Sequence, residues 1–186
     1  VSKLITAVGI MKLQEMKKLK LNEKVFGAKG ILNDTTYNNG IKDQRYYDIT
    51  VEQLLRHQAG FNNYAGDPVS STRYIMMQNR LTTPPDHKTL LKILLKRHLG
   101  YTPGQGKCYS NLGYMILSMV IEKKSGMKYE NFMQKYVLQP AGCYDMHIAG
   151  TYLKDRRPNE TKYYMHQGSI PVYEYNNSGR LVEKCY

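Results

Sequence analysis

Acidic side chains are scarce in this chain: 15 Asp and Glu stand against 27 Lys and Arg in 186 residues, a formal net charge of +12. Such an excess steers anionic partners, nucleic acid and envelope polymers among them. The basic residues are scattered, however, at Lys12, Lys17, Lys18, Lys20, Lys123, Lys124 and Arg156-Arg157, and no nucleic-acid-binding motif accompanies them. The charge reads as solvated surface, and no nucleic-acid partner is expected. Cysteine is sparse as well. Cys108, Cys143 and Cys185 contain no Cys-x-x-Cys pair, which excludes a familiar thiolate metal spacing, and an odd count leaves at least one thiol unpaired within the chain. His57, His87, His98, His147 and His166 are dispersed, so no metal or other cofactor is expected. No apolar run reaches the ~18–20 residues of a membrane-spanning helix, and there is no internal repeat or low-complexity linker. The sequons beginning at Asn33, Asn159 and Asn176 matter only in a eukaryotic secretory protein and read as fortuitous.

What remains is a chain long enough for one domain with a real core, 41% of it hydrophobic. It is organised around Lys107-Cys108-Tyr109-Ser110-Asn111-Leu112-Gly113-Tyr114, which follows the turn Thr102-Pro103-Gly104-Gln105-Gly106. Pro103, Gly104 and Gly106 break the chain, and an apolar run from Leu112 to Ile121 then reads as a buried helix. Ser110 or Asn111 serves as its N-cap in the plainest reading, with Tyr109 packing.

Other elements follow from local signals. Leu4, Ile5, Val8, Met11, Met16 and Leu19 recur at helical spacing, and Ala7 and Ile10 widen the stripe, so a helix from Ser2 to about Leu19 is expected to be largely enclosed. Leu21 to Asp48 reads as an irregular crossing. Thr50 and Gln53 stand at capping-box spacing and open a short helix that Gly60 stops. A helix is expected from Ser71 to Asn79. Another runs from the cap Asp86 to about His98, with Leu90, Leu91, Leu94 and Leu95 inward. The central helix reaches Lys124 before Ser125-Gly126. A further one runs from Tyr129 to Leu138 and is closed by Pro140 and Gly142. Ile170 to Glu183, turning at Asn176-Asn177-Ser178-Gly179, reads as a β-hairpin.

The chain opens on Val1-Ser2-Lys3-Leu4-Ile5-Thr6 without an initiator Met or signal peptide, and is expected to be cut at both ends. Val-Ser-Lys opening one helix and Tyr-Ser-Asn opening another resemble the serine β-lactamase and penicillin-binding-protein superfamily. The resemblance is to the branch of class C β-lactamases, D-amino-acid carboxypeptidases and esterases. Lys3 matches the Lys of that family's Ser-x-x-Lys, and Tyr109 and Asn111 match its Tyr-x-Asn. Ser2 is not the motif serine, because Ile5 lies three positions after it; the nucleophile is expected one position before Val1. Ile49-Thr50-Val51 through His57-Gln58-Ala59-Gly60 also resembles a family segment, with Ala59 where Ser is usual. So does Met127 to Cys143, where Ala141 and Cys143 depart from the pattern. His57 is expected to hold a turn through a ring nitrogen rather than act as a base. His166-Gln167-Gly168 fits the family's third motif literally but comes too soon after Tyr109, and reads as a decoy.

The resemblance implies an α+β fold. The chain would be a single partial domain, with a helical lobe over 1–148, an irregular segment and β-hairpin over 149–186, and most of the flanking antiparallel sheet missing. It implies an exported, envelope-facing serine hydrolase working through an acyl-enzyme on a β-lactam, D-alanyl peptide or ester. The chain by itself would be inactive, because the serine precedes Val1. The i to i+3 spacing sets hydroxyl and ammonium on one helix face. Lys3 supplies positive charge, Tyr109 or Lys3 takes the serine proton, and Asn111 orients the substrate amide. Two alternatives stay open: a non-catalytic relative that binds, and a basic helical domain that holds anionic polymers by charge.

Overall fold

A computed structural model describes residues 2–62, 67–149 and 155–160, with the backbone of 173–175 and 181–183. They divide into two compact units, Val1–Ser71 with Asp86–Met146, and Thr72–Pro85 with His147–Tyr186. Regular structure among the described residues is mostly helical.

The first unit is built on α6, Asn111–Ser125, whose Leu112, Met115, Ile116, Leu117, Val120 and Ile121 are buried. Ser110 caps it, with Oγ accepting the Gly113 N–H at 3.0 Å, and Gly126 ends it in the left-handed region at φ 71°. The elements packed most extensively on α6 are α1 (Ser2–Glu15), α3 (Val51–Leu55) and α7 (Tyr129–Met133). The capping box of α3 forms, Thr50 accepting from the Gln53 N–H and Gln53 from the Thr50 N–H. Helix α5 (His87–Leu94) starts at Asp86, which accepts the Thr89 N–H, and buries Leu90, Leu91 and Leu94. Past Met133 the chain widens into a π turn, Gln134–Leu138, followed by a 3-10 turn, Gln139–Ala141, which Gly142 closes at φ 76°.

The crossing from Leu21 to Asp48 is less irregular than its composition implies. It holds α2 (Thr35–Asn38), capped by Asp34, and a 3-10 turn, Gln44–Asp48, capped by Asp43. Asp43 is buried and does more than cap. Its carboxylate meets the Arg45 guanidinium at 2.7 Å and accepts the Leu99 N–H at 3.0 Å, tying the crossing to the chain beyond α5. The Arg45 hydrogen bonds hold the Asp43 carboxyl well below the usual carboxylate range.

The expected enclosure of the Leu4–Val8–Met11 stripe is corrected. Among the described residues Leu4 is 71% exposed, Met11 48% and Val8 45%, and α1 buries Thr6, Gly9, Ile10 and Leu13 instead. Close approach decides the face. A Cβ on Gly9 would lie 2.6 Å from Met133 Sδ and 3.1 Å from Ile121 Cδ1, so the missing side chain is what lets α1 seat on α6 and α7. The Thr6 hydroxyl then meets the Tyr129 hydroxyl at 2.8 Å. The helix also ends earlier than expected: Lys17 turns left-handed at φ 57°, and the Lys18 N–H returns to the Leu13 carbonyl at 2.9 Å.

In the second unit α4 spans Thr72–Asn79, and β1 (Tyr173–Tyr175) pairs antiparallel with β2 (Leu181–Glu183), Tyr173 opposite Glu183. The turn 176–179, the triplet His166-Gln167-Gly168 and Cys185 lie outside the described residues. Cys108 and Cys143 are free thiols.

Candidate active site

Two helix starts meet in the first unit. Lys3 stands in the first turn of α1, and Tyr109-Ser110-Asn111 leads into α6. The Lys3 ammonium donates to Asn111 Oδ1. It also lies over the Tyr109 ring, 4.7 Å from the centroid, with the Tyr114 ring next at 5.7 Å. A cation over an aromatic face is attracted by the ring quadrupole, so the lysine is held by an amide and by π density together. The structure thus brings Lys3, Tyr109 and Asn111 into one cluster across 108 residues of chain. Tyr109 is 57% exposed, which leaves its ring open to a bound molecule.

Beneath this cluster sits His57. Helix α3 ends before the expected stop at Gly60, because His57 itself takes the left-handed conformation at φ 59°. The turn is a Schellman motif: the His57 N–H returns to the Leu54 carbonyl at 3.2 Å and the Gln58 N–H to the Gln53 carbonyl at 2.7 Å. From there the imidazole Nδ1 accepts the Ser110 N–H at 3.1 Å, the role expected of it. The ring also meets Tyr109 and Tyr114, at centroid distances of 4.8 and 5.1 Å. The His57 carbonyl takes the Cys108 N–H at 3.0 Å and the Tyr101 hydroxyl at 3.2 Å. Burial pushes the imidazole below its ordinary pKa, and the ammonium groups of Lys3 and Lys107 push the same way. Neutral His57 keeps Nδ1 an acceptor and leaves the ring proton on Nε2.

Two further residues belong to the cluster and were not singled out from sequence. Asp67 accepts the Asn111 N–H at 2.8 Å and the Val69 N–H at 2.9 Å. It occupies the first position of an Asp-Pro turn, a signal of a turn but not of its target. Tyr114 follows Asn111 by three residues and so shares its helix face; its hydroxyl donates to the Leu55 carbonyl at 3.1 Å. Burial raises the Tyr114 phenol, so it stays a neutral donor and α3 is bound to α6 through it. No group of three or more His, Cys, Asp and Glu residues among the described residues could hold a metal ion. None of the described helices is long and apolar enough to cross a membrane.

A lysine in the first turn of a helix, clasped to a Tyr-x-Asn that opens a second helix, places the chain in the serine β-lactamase and penicillin-binding-protein superfamily. The chain belongs to the Beta-lactamase family, whose profile matches residues 1–180. It is 27% identical over 164 residues to a penicillin-binding protein of Bacillus subtilis (strain 168), a match covering 87% of this chain and 32% of that protein. Among solved structures it is similar to a D-stereospecific amidohydrolase from Streptomyces sp., with TM-score 0.61 and 23% identity over 97% of this chain and 49% of the other. It is likewise similar to a penicillin-binding protein from Bacillus halodurans, with TM-score 0.60 and 21% identity over 97% of this chain and 48% of the other. The fold is thus of serine-hydrolase type, and the chain spans about a third of the curated relative and about half of each solved chain.

Proposed function

We propose that this chain is the helical lobe of a serine hydrolase that works through an acyl-enzyme, the flanking antiparallel sheet lying elsewhere in the protein. The observation that carries the reading is the Lys3 ammonium bonded to Asn111 and lying 4.7 Å from the centre of the Tyr109 ring. In this reading the serine of Ser-x-x-Lys is the residue immediately before Val1. Its hydroxyl attacks the substrate carbonyl, and its proton passes to Tyr109 or Lys3. Asn111 orients the substrate amide, a positioning role. Backbone N–H groups stabilise the oxyanion, the leaving group departs with a proton, and water then releases the acyl group from the serine. The names of the relatives favour a β-lactam or a D-configured amide as substrate, with an ester as the simpler variant of the same chemistry. The place of action is the cell envelope, reached by export.

Fluorescent-penicillin labelling of the full-length protein tests the reading. Wild-type protein takes up label, and Lys3→Ala and Tyr109→Phe each slow uptake by about 10²- to 10⁴-fold, the range for losing a general base. Unchanged labelling in both variants would falsify these roles.

A further inference from the structure

We infer that His57 is a positioning residue for the proposed reaction: its Nδ1, bonded to the Ser110 N–H, holds Tyr109 and Asn111 in register with Lys3. The inference rests on the hydrolase reading for its chemistry, but its geometry stands apart.

Three observations converge. First, His57 occupies the position after α3 where the chain turns left-handed, at φ 59°. Glycine takes that place most easily, with asparagine, aspartate and histidine next, and any side chain there crowds the backbone. A side chain retained against that preference is held by what it contacts. Second, three of its contacts lead to one segment. Nδ1 takes the Ser110 N–H at 3.1 Å, the carbonyl takes the Cys108 N–H at 3.0 Å, and the ring stands 4.8 Å from Tyr109. Third, Ser110 is buried, and its Oγ is committed to capping α6 through Gly113. Its N–H therefore depends on the imidazole as its acceptor, and a buried donor without one is destabilised. Capping, the imidazole bond and the Asp67 bond fix the N–H groups of Gly113, Ser110 and Asn111 at the helix start. The Lys3–Asn111 bond needs that start held still.

The device is sensitive to pH. Protonating Nδ1 removes the acceptor and adds charge beside two ammonium groups. The titratable and charged groups around His57 are Lys3 from α1, Lys107, Cys108 and Tyr109 from the approach to α6, Tyr114 from α6, and Tyr101 on its carbonyl, with Arg56 preceding it in the chain. Asp67 faces the adjoining Asn111 N–H. Acid therefore loosens the segment that carries Tyr109 and Asn111, while neutral and alkaline solution keeps it set.

The test uses the full-length protein with His57→Gly and His57→Asn. Glycine suits the left-handed turn but offers no acceptor; asparagine suits it too and places Oδ1 near the position of Nδ1. Circular dichroism checks that both fold. Acylation by fluorescent penicillin is followed against concentration and pH. Displacing a reacting group by about 1 Å slows chemistry on the order of 10²-fold. The acylation step of His57→Gly is expected to fall by that order with little change in apparent affinity. His57→Asn is expected to regain most of the loss and to lack the acid limb that His57 gives the wild type. Wild-type rates in folded His57→Gly, or an unaltered acid limb in His57→Asn, would overturn the inference. If wild-type protein takes up no label, the hydrolase reading fails, and the inference is then judged from imidazole nitrogen spectra of the wild type. An Nε2–H tautomer whose titration moves the Ser110 amide resonance supports it; an Nδ1–H tautomer overturns it.

Discussion

Ser110 lies between the two motif residues Tyr109 and Asn111, yet its own task is structural. Its hydroxyl caps α6 at 3.0 Å from the Gly113 nitrogen, and its N–H is held by His57. Replacing a capping serine with alanine removes about 1 kcal/mol. Ser110→Ala is therefore expected to lower stability by about that amount in urea melts, and to leave the Lys3–Asn111 clasp formed. A loss well above it would mean that the loop preceding α6 collapses without the cap. The motif residues themselves were legible because their types are chemically specific and their order along the chain is that of the resembled superfamily. Asp67 and Tyr114 were not. An aspartate before a proline announces a turn, but nothing local says that its carboxylate reaches a helix start 44 residues later.

Among the elements, the helices whose ends carry chemical marks were the readable ones. Thr50 with Gln53, Asp86, Ser110 and Gly126 all cap as their types imply. The two short turns capped by Asp34 and Asp43 were hidden in a stretch rich in Gly and Asn, where neither aspartate was read as a cap. Helix α1 shows a deeper limit. Its apolar residues nearly encircle it, so periodicity alone cannot select a face, and the choice falls to fit at Gly9. Gly9→Ala gains roughly 1 kcal/mol in helix propensity and loses roughly 1–3 kcal/mol to crowding against Met133 and Ile121. The net expectation is a destabilisation of about 1 kcal/mol by these two magnitudes. Truncating the neighbour reverses the balance: in a Met133→Ala background, Gly9→Ala should stabilise. Additive effects in a double-mutant cycle would show that the two residues do not share the contact.

For the molecule as a whole, acid stability draws on several groups with lowered pKa, Glu23, Asp34 and Asp86 among them, of which His57 and Asp43 sit at tertiary contacts. His57 in the unfolded chain takes up its proton near pH 6.5, whereas in the fold it does so at lower pH. The unfolded state thus binds more protons in that window, and stability present above about pH 6.5 declines as pH falls through it. Asp43 acts further down. Its folded pKa lies below the unfolded value of about 3.9, so its contribution is intact above that value and is lost as the carboxylate protonates below it. Melting temperature of the full-length protein should be flat near neutrality and fall in two stages toward acid. Asp43→Asn should lower stability at pH 7 and blunt the second stage. An unchanged second stage in that variant would assign acid sensitivity to other carboxylates.

The central claim is that Lys3 and Tyr109-Ser110-Asn111 serve one acyl-transfer centre whose nucleophile directly precedes Val1. Peptide mapping of the full-length protein after reaction with a penicillin tests it most directly. The adduct is expected on the peptide ending at Lys3, carried by a serine immediately before Val1. Modification of Ser2 or Ser110 instead, or a wild-type protein that carries no adduct, would contradict the claim.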